Sequence, residues 1–249
     1  MKRALLAFAM VAAMLVVVSS ARAQSGVNLS WTNCAALGGL QNRTFACTAN
    51  VGNHVLAASF VLPADVARVA GDVVVMDLIS QSSPLPPWWN MVFAGACRPS
   101  SLSIQTYDGV DGTTCGDWAQ NQASMNIASY EVNPAQPGVG PNTARIKQLN
   151  AVQQASEQDL VANHEYGVFK LTMNSQLSVG SPSCAGCADP VCIVLNSVEV
   201  DTETGVGNTF LLTGTSVGSN IVTWQGAGAN CQAVPVRNSS WGQVKALYR

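Results

Sequence analysis

VCIVLNSVEV, residues 191–200, is the stretch on which the fold turns. It is rich in β-branched side chains and lacks helical spacing, so it reads as a buried strand. DVVVMDLI, residues 72–79, is apolar on both faces, which suits a strand inside a sandwich. Further strands are expected over 54–62, ended by Pro63, and over 101–106, 166–173 and 220–224. In the run 166–173 Phe169, Leu171 and Met173 alternate with Lys170 and Thr172. Turn-rich stretches at 82–87, 108–113, 133–142 and 181–190 separate the runs. This spacing predicts an all-β fold, an antiparallel, jelly-roll-like β-sandwich.

Helix signals are few. Residues 156–159 resemble one turn of a helix start. At the C-terminus Ser240 and Gln243 have capping-box spacing, and Trp241, Val244 and Leu247 recur at helical intervals. The expected organisation is a signal peptide over 1–23, a sandwich domain over 24–232, and a linker with a short helical tail over 233–249.

The leader reading rests on Lys2 and Arg3, the uncharged apolar run 4–18, and the small-x-small motif Ala21-Arg22-Ala23. An uncleaved anchor is the alternative. Removing the leader leaves nine basic and fourteen acidic residues, a net of about −5. No basic run exists, which argues against a nucleic-acid partner. Only 10% of residues are charged, so much of the polar surface must come from Ser, Thr, Asn and Gln. No later stretch approaches a membrane span, and a secreted location, extracellular or periplasmic, is expected.

Eight cysteines follow the leader: Cys34, Cys47, Cys97, Cys115, Cys184, Cys187, Cys192 and Cys231. The even count points to disulfides in an oxidising compartment. Sequence proximity suggests Cys34–Cys47, Cys97–Cys115 and Cys187–Cys192, and the lone Cys231 is then assigned to Cys184, among 105 possible arrangements. Cys184-x-x-Cys187 also has the spacing of zinc ligands and of redox motifs, but the group precedes a strand where a redox thiol needs a helix start. Plain disulfides are expected, with no metal and no cofactor.

Candidate chemistry is thin. His54 and His164 each start a predicted strand, and no G-x-S-x-G or H-E-x-x-H is present. Asp77 lies inside an apolar strand; burial would raise its pKa, as an acid catalyst requires. The acidic turns 108–112 and 201–205 could offer oxygen to Ca²⁺, but neither is an EF-hand loop. Trp88 and Trp89 follow Pro84-Leu-Pro-Pro87. Successive strand residues face opposite sides, so one ring could be exposed and stack on a sugar or a partner, which makes Trp88 and Trp89 the candidate ligand-binding residues. Core packing is the competing reading, and it is the expectation for Trp118 and Trp224.

Residues 166–173, the cysteine cluster and residues 192–198 resemble the later strands of exported bacterial β-sandwich modules of cohesin-like or carbohydrate-binding-like type. The cohesin resemblance implies a nine-stranded jelly roll that binds a protein through one sheet face. Eight cysteines depart from that pattern. Residues 241–249 look like the tails of uncharacterised secreted bacterial proteins. The function expected is therefore a secreted, non-catalytic binding or structural module for a carbohydrate or a cell-surface protein. An extracellular hydrolase acting on polysaccharide or ester substrates is the alternative.

Overall fold

A computed structural model describes residues 24–92, 94–108, 115–135, 139–203, 210–214, 219–226 and 231. The expected leader and the expected helical tail lie outside the described residues. Among the described residues there are thirteen strands: β1 (Gly26–Trp31), β2 (Asn42–Arg43), β3 (Asn53–Val61), β4 (Val66–Ser80), β5 (Leu102–Thr106), β6 (Gly116–Asp117), β7 (Ala123–Val132), β8 (Thr143–Val152), β9 (Gln158–Leu160), β10 (Glu165–Asn174), β11 (Val191–Thr202), β12 (Phe210–Thr213) and β13 (Ile221–Trp224). Two three-residue 3₁₀ turns, Ala35–Leu37 and Pro87–Trp89, lie wholly within the described residues.

The strands form two sheets. The narrow one runs β1-β3-β10-β5, with β6 joined to β10. The wide one runs β2-β13-β11-β4-β8-β7, with β12 on β11 and β9 on β4. Both are antiparallel except at the β6–β10 and β2–β13 pairings.

Strand parity explains the core. The narrow sheet turns Val27, Leu29, Leu56, Phe60, Phe169 and Leu171 inward. Val74, Met76, Leu78, Ile146, Ile193 and Leu195 meet them from the wide sheet. Each fully buried side chain of this kind contributes roughly 1.5–3 kcal/mol. One apolar core thus lies between two layers, the plan of a β-sandwich.

Two expectations need correction. Residues 156–159 do not begin a helix, because Gln158 and Leu160 pair with Val69 and Val66 of β4, and this pairing overrides a weak local signal. The neighbour-to-neighbour disulfides are also wrong. The bridges are Cys34–Cys115, Cys47–Cys187, Cys97–Cys184 and Cys192–Cys231, with sequence separations of 81, 140, 87 and 39. Hairpin topology brings distant cysteines together, and closeness along the chain does not. Cys184 and Cys187 go to different partners, so they form neither a thiolate site nor a two-residue redox loop.

Candidate binding face

Parity along β4 gives two opposite surfaces. Val74, Met76 and Leu78 point into the core, and Val73, Val75 and Asp77 point out. Register carries the outward set across the wide sheet. One row reads Ile127 (β7), Leu149 (β8), Val73 (β4), Glu199 (β11), Leu211 (β12). Met125 and Ala151 lie one row away, and Ser129, Lys147 and Val75 lie on the other side. Ile127, Leu211 and Met125 are 59%, 47% and 47% exposed, while Leu149 and Val73 are half-buried. An aliphatic stripe, Ile127–Leu149–Val73, therefore crosses β7, β8 and β4 on the outer face, and Glu199 separates it from Leu211. Contiguous exposed apolar surface of this kind marks interaction sites.

Charge borders the stripe. Glu131 faces Lys147 at 3.9 Å. The Arg145 guanidinium grips Asp77 with two bonds of 2.7 Å, and the Asn196 amide donates a third at 2.9 Å. Asp77 is thus largely buried, as expected, but it is clamped on the outer face by partners that the sequence did not reveal. Glu199 and Asp201 add negative charge toward the β11 end. The formal charge of Glu131, Asp77, Glu199 and Asp201 against Arg145 and Lys147 is net negative.

The buried, perturbed carboxylate is Asp72, five residues earlier and on the inner face. It is 1% exposed, and burial pushes its pKa up to about 8. Trp118 and Asn150 oppose that shift by donating to Oδ1, the latter at 3.0 Å, while Oδ2 has no partner. Asn150 also donates to the Val168 carbonyl at 3.2 Å and accepts from Gln148. Asp72 therefore ties the wide sheet to the narrow one. It is sealed from solvent and offers nothing to a substrate.

Trp88 and Trp89 are both 0% exposed, so neither ring is available for stacking and core packing holds for both. The 3₁₀ turn turns them inward, and strand alternation does not apply. Trp88 lies 5.0 Å and Trp89 5.4 Å from Trp224, which stacks on Phe45 at 4.1 Å. Arg98 sits 3.4 Å over the Trp88 ring and donates to the Trp88 carbonyl at 2.9 Å. Burial lowers the Arg98 pKa to about 10. Cys47–Cys187 and Cys97–Cys184 cross-link this end of the molecule. Gly186 completes it: its φ is +109°, and a Cβ would stand 2.2 Å from Pro86 Cβ. Trp118 and Trp224 are core, as expected.

The two histidines lie at opposite ends of the β3–β10 pair. His54 Nε2 is 2.8 Å from Ser175 Oγ, a pairing with no signal in the sequence. Ser175 is 3% exposed, and the His54 ring packs edge-on against Phe45 and Trp224. Burial, then Arg43 and Arg98, lowers the His54 pKa to about 4. His164 packs on Tyr166.

Cys34, Cys115 and Glu165 come together, but the sulfurs are bonded to each other. The Glu165 carboxylate accepts from the Ala35 and Ala36 amides and from Ser59 Oγ at 2.5 Å, a structural cap. The calcium-type turns fall largely outside the described residues. Of their described acids, Asp108 pairs with Lys170 and Glu203 with Arg68.

No protein-family model and no curated protein matches the chain. A solved structure, described as the unique CBM3 of Hungateiclostridium clariflavum, matches 76% of this chain and 99% of its own. Its identity is 8% and its TM-score 0.27. A likeness of that order bears on neither fold nor ligand, so the stripe stands on its own geometry.

Proposed function

We propose that this protein is a secreted, non-catalytic binding or structural module, jelly-roll-like in plan, that engages a protein surface through the outer face of the wide sheet. The observation that carries this reading is the aliphatic run Ile127–Leu149–Val73, set in register by β-pairing, with Leu211 beyond Glu199 in the same row and charge around it. Aliphatic side chains on a rigid face suit a protein partner better than a sugar, which favours flat aromatic platforms. Four disulfides support an extracellular or periplasmic location, and no helix among the described residues is long and apolar enough to cross a membrane.

The test is a screen against cell-surface proteins and glycans with the natural chain and an Ile127→Lys/Leu211→Lys double variant. Both positions are exposed, so the variant keeps its fold. Protein capture weakened at least roughly tenfold in the variant supports the reading, since two central apolar contacts are lost. Capture that is unchanged removes this face from the site.

A further inference from the structure

We infer that the outer face of the wide sheet is first occupied by the chain's own C-terminal segment, residues 232–249. This inference shares the face with the reading above and does not require a foreign ligand.

Three observations carry it. The first is where the segment starts. Cys231 is bonded to Cys192, which points outward from β11 on the same side as the stripe. Around that bridge Cys192 and Val194 are buried, with Ile79 and Ile221 against them. The chain thus begins its last stretch on the outer face.

The second is reach. The row that holds the stripe meets β11 at Glu199, seven residues from Cys192, or ~23 Å along the strand. Ten residues separate Cys231 from Trp241, a span of up to ~33 Å. Trp241, Val244, Leu247 and Tyr248 can therefore reach Val73, Leu149 and Ile127. The stripe supplies an apolar partner for these side chains.

The third is charge. Residues 232–249 carry Arg237, Lys245 and Arg249 and no acid. The face around the stripe is net negative, with Glu199 and Asp201 seven and nine residues along β11 from Cys192, where the segment enters. Opposite signs steer the segment onto this sheet.

Tryptophan emission tests this on the full, oxidised chain. Five of the six tryptophans are fully or almost fully buried, so acrylamide reports on Trp241, and a Trp241→Phe chain supplies the background. The reference is the free peptide 233–249. Quenching of Trp241 at least roughly tenfold weaker than in the peptide is expected, the value for a segment docked nine-tenths of the time or more. Ile127→Lys/Leu211→Lys should restore the peptide's value. Peptide-like quenching in the natural chain overturns the inference. So does protection that the double variant leaves intact, which would place the segment elsewhere. Protection that grows with protein concentration overturns it too, by assigning the face to a second copy. If the capture screen finds nothing while Trp241 is shielded and then released by the variant, only the binding reading fails.

Discussion

Replacing Asp72 with asparagine should stabilise this protein, increasingly so as pH rises. Asp72 ionises at about 8 in the folded chain and near the ordinary carboxylate value of 3.8 when unfolded. Between those values the folded state holds a proton that the unfolded state has released. Stability therefore falls as pH rises through this window and levels off above about pH 8. At pH 7 the cost is about 4 kcal/mol, from some three pKa units at 1.36 kcal/mol each. The amide keeps an oxygen to accept from Trp118 and Asn150, and its NH₂ takes the place of the unpartnered Oδ2. The Asp72→Asn variant should match the natural chain near pH 4. At pH 7 it should melt roughly 8–16 °C higher, given about 2–4 °C per kcal/mol for a chain of this size. Calorimetry under non-reducing conditions at pH 4, 5.5, 7 and 9 measures this. Parallel pH profiles for the two chains, or a variant less stable than the natural chain at pH 9, would refute the reasoning.

Other expectations concern the aromatic end and its cross-links. His54 should titrate near pH 4 by NMR, and because its folded value lies below 6.5, its contribution to stability is lost as pH falls from about 6.5 to 4. A His54→Gln chain should lose that part of the acid slope; a midpoint above 6 for His54 would contradict its packing against Phe45 and Trp224. Cys97→Ala/Cys184→Ala opens a bridge of 87 residues' separation, which should cost up to about 4–5 kcal/mol in chain entropy and raise Trp88 exposure to quenchers. Unchanged stability and quenching would show that the bridge does not hold this end together. Gly186→Ala forces a methyl onto Pro86 at positive φ and should cost roughly 1–3 kcal/mol, read as a lower denaturant midpoint; no change would mean that the turn relaxes freely.

All six strands expected from alternation or apolar runs are present, as β3, β4, β5, β10, β11 and β13. β1 was missed, although Val27, Leu29 and Trp31 alternate with Asn28 and Ser30. β8 hides because its inward positions change from Ala144 and Ile146 to Gln148 and Asn150, whose amides serve the Asp72 network. β7 hides because it is an edge strand with most residues exposed, so neither face imposes a pattern. The candidate face was illegible for the same reason: Ile127 and Leu211 look like isolated apolar residues until register aligns them. Asp77 drew notice as a buried acid, yet Arg145 lies 68 residues away in sequence and meets it only through the β4–β8 pairing. The perturbed acid, Asp72, sits at the end of the same run. Five residues along a strand put the two on opposite faces, Asp72 inside the sandwich and Asp77 outside it.

The bridge pattern also constrains how the molecule is made. A chain delivered N-terminus first presents Cys34 and Cys47 together before Cys115 or Cys187 has emerged. The earliest bond within reach is a non-native one, favoured by its short loop. Native pairing then depends on thiol–disulfide exchange after β10 and β11 have arrived to complete both layers. High yield of correctly paired protein should therefore follow the supply of a disulfide-reshuffling catalyst more closely than the supply of oxidant.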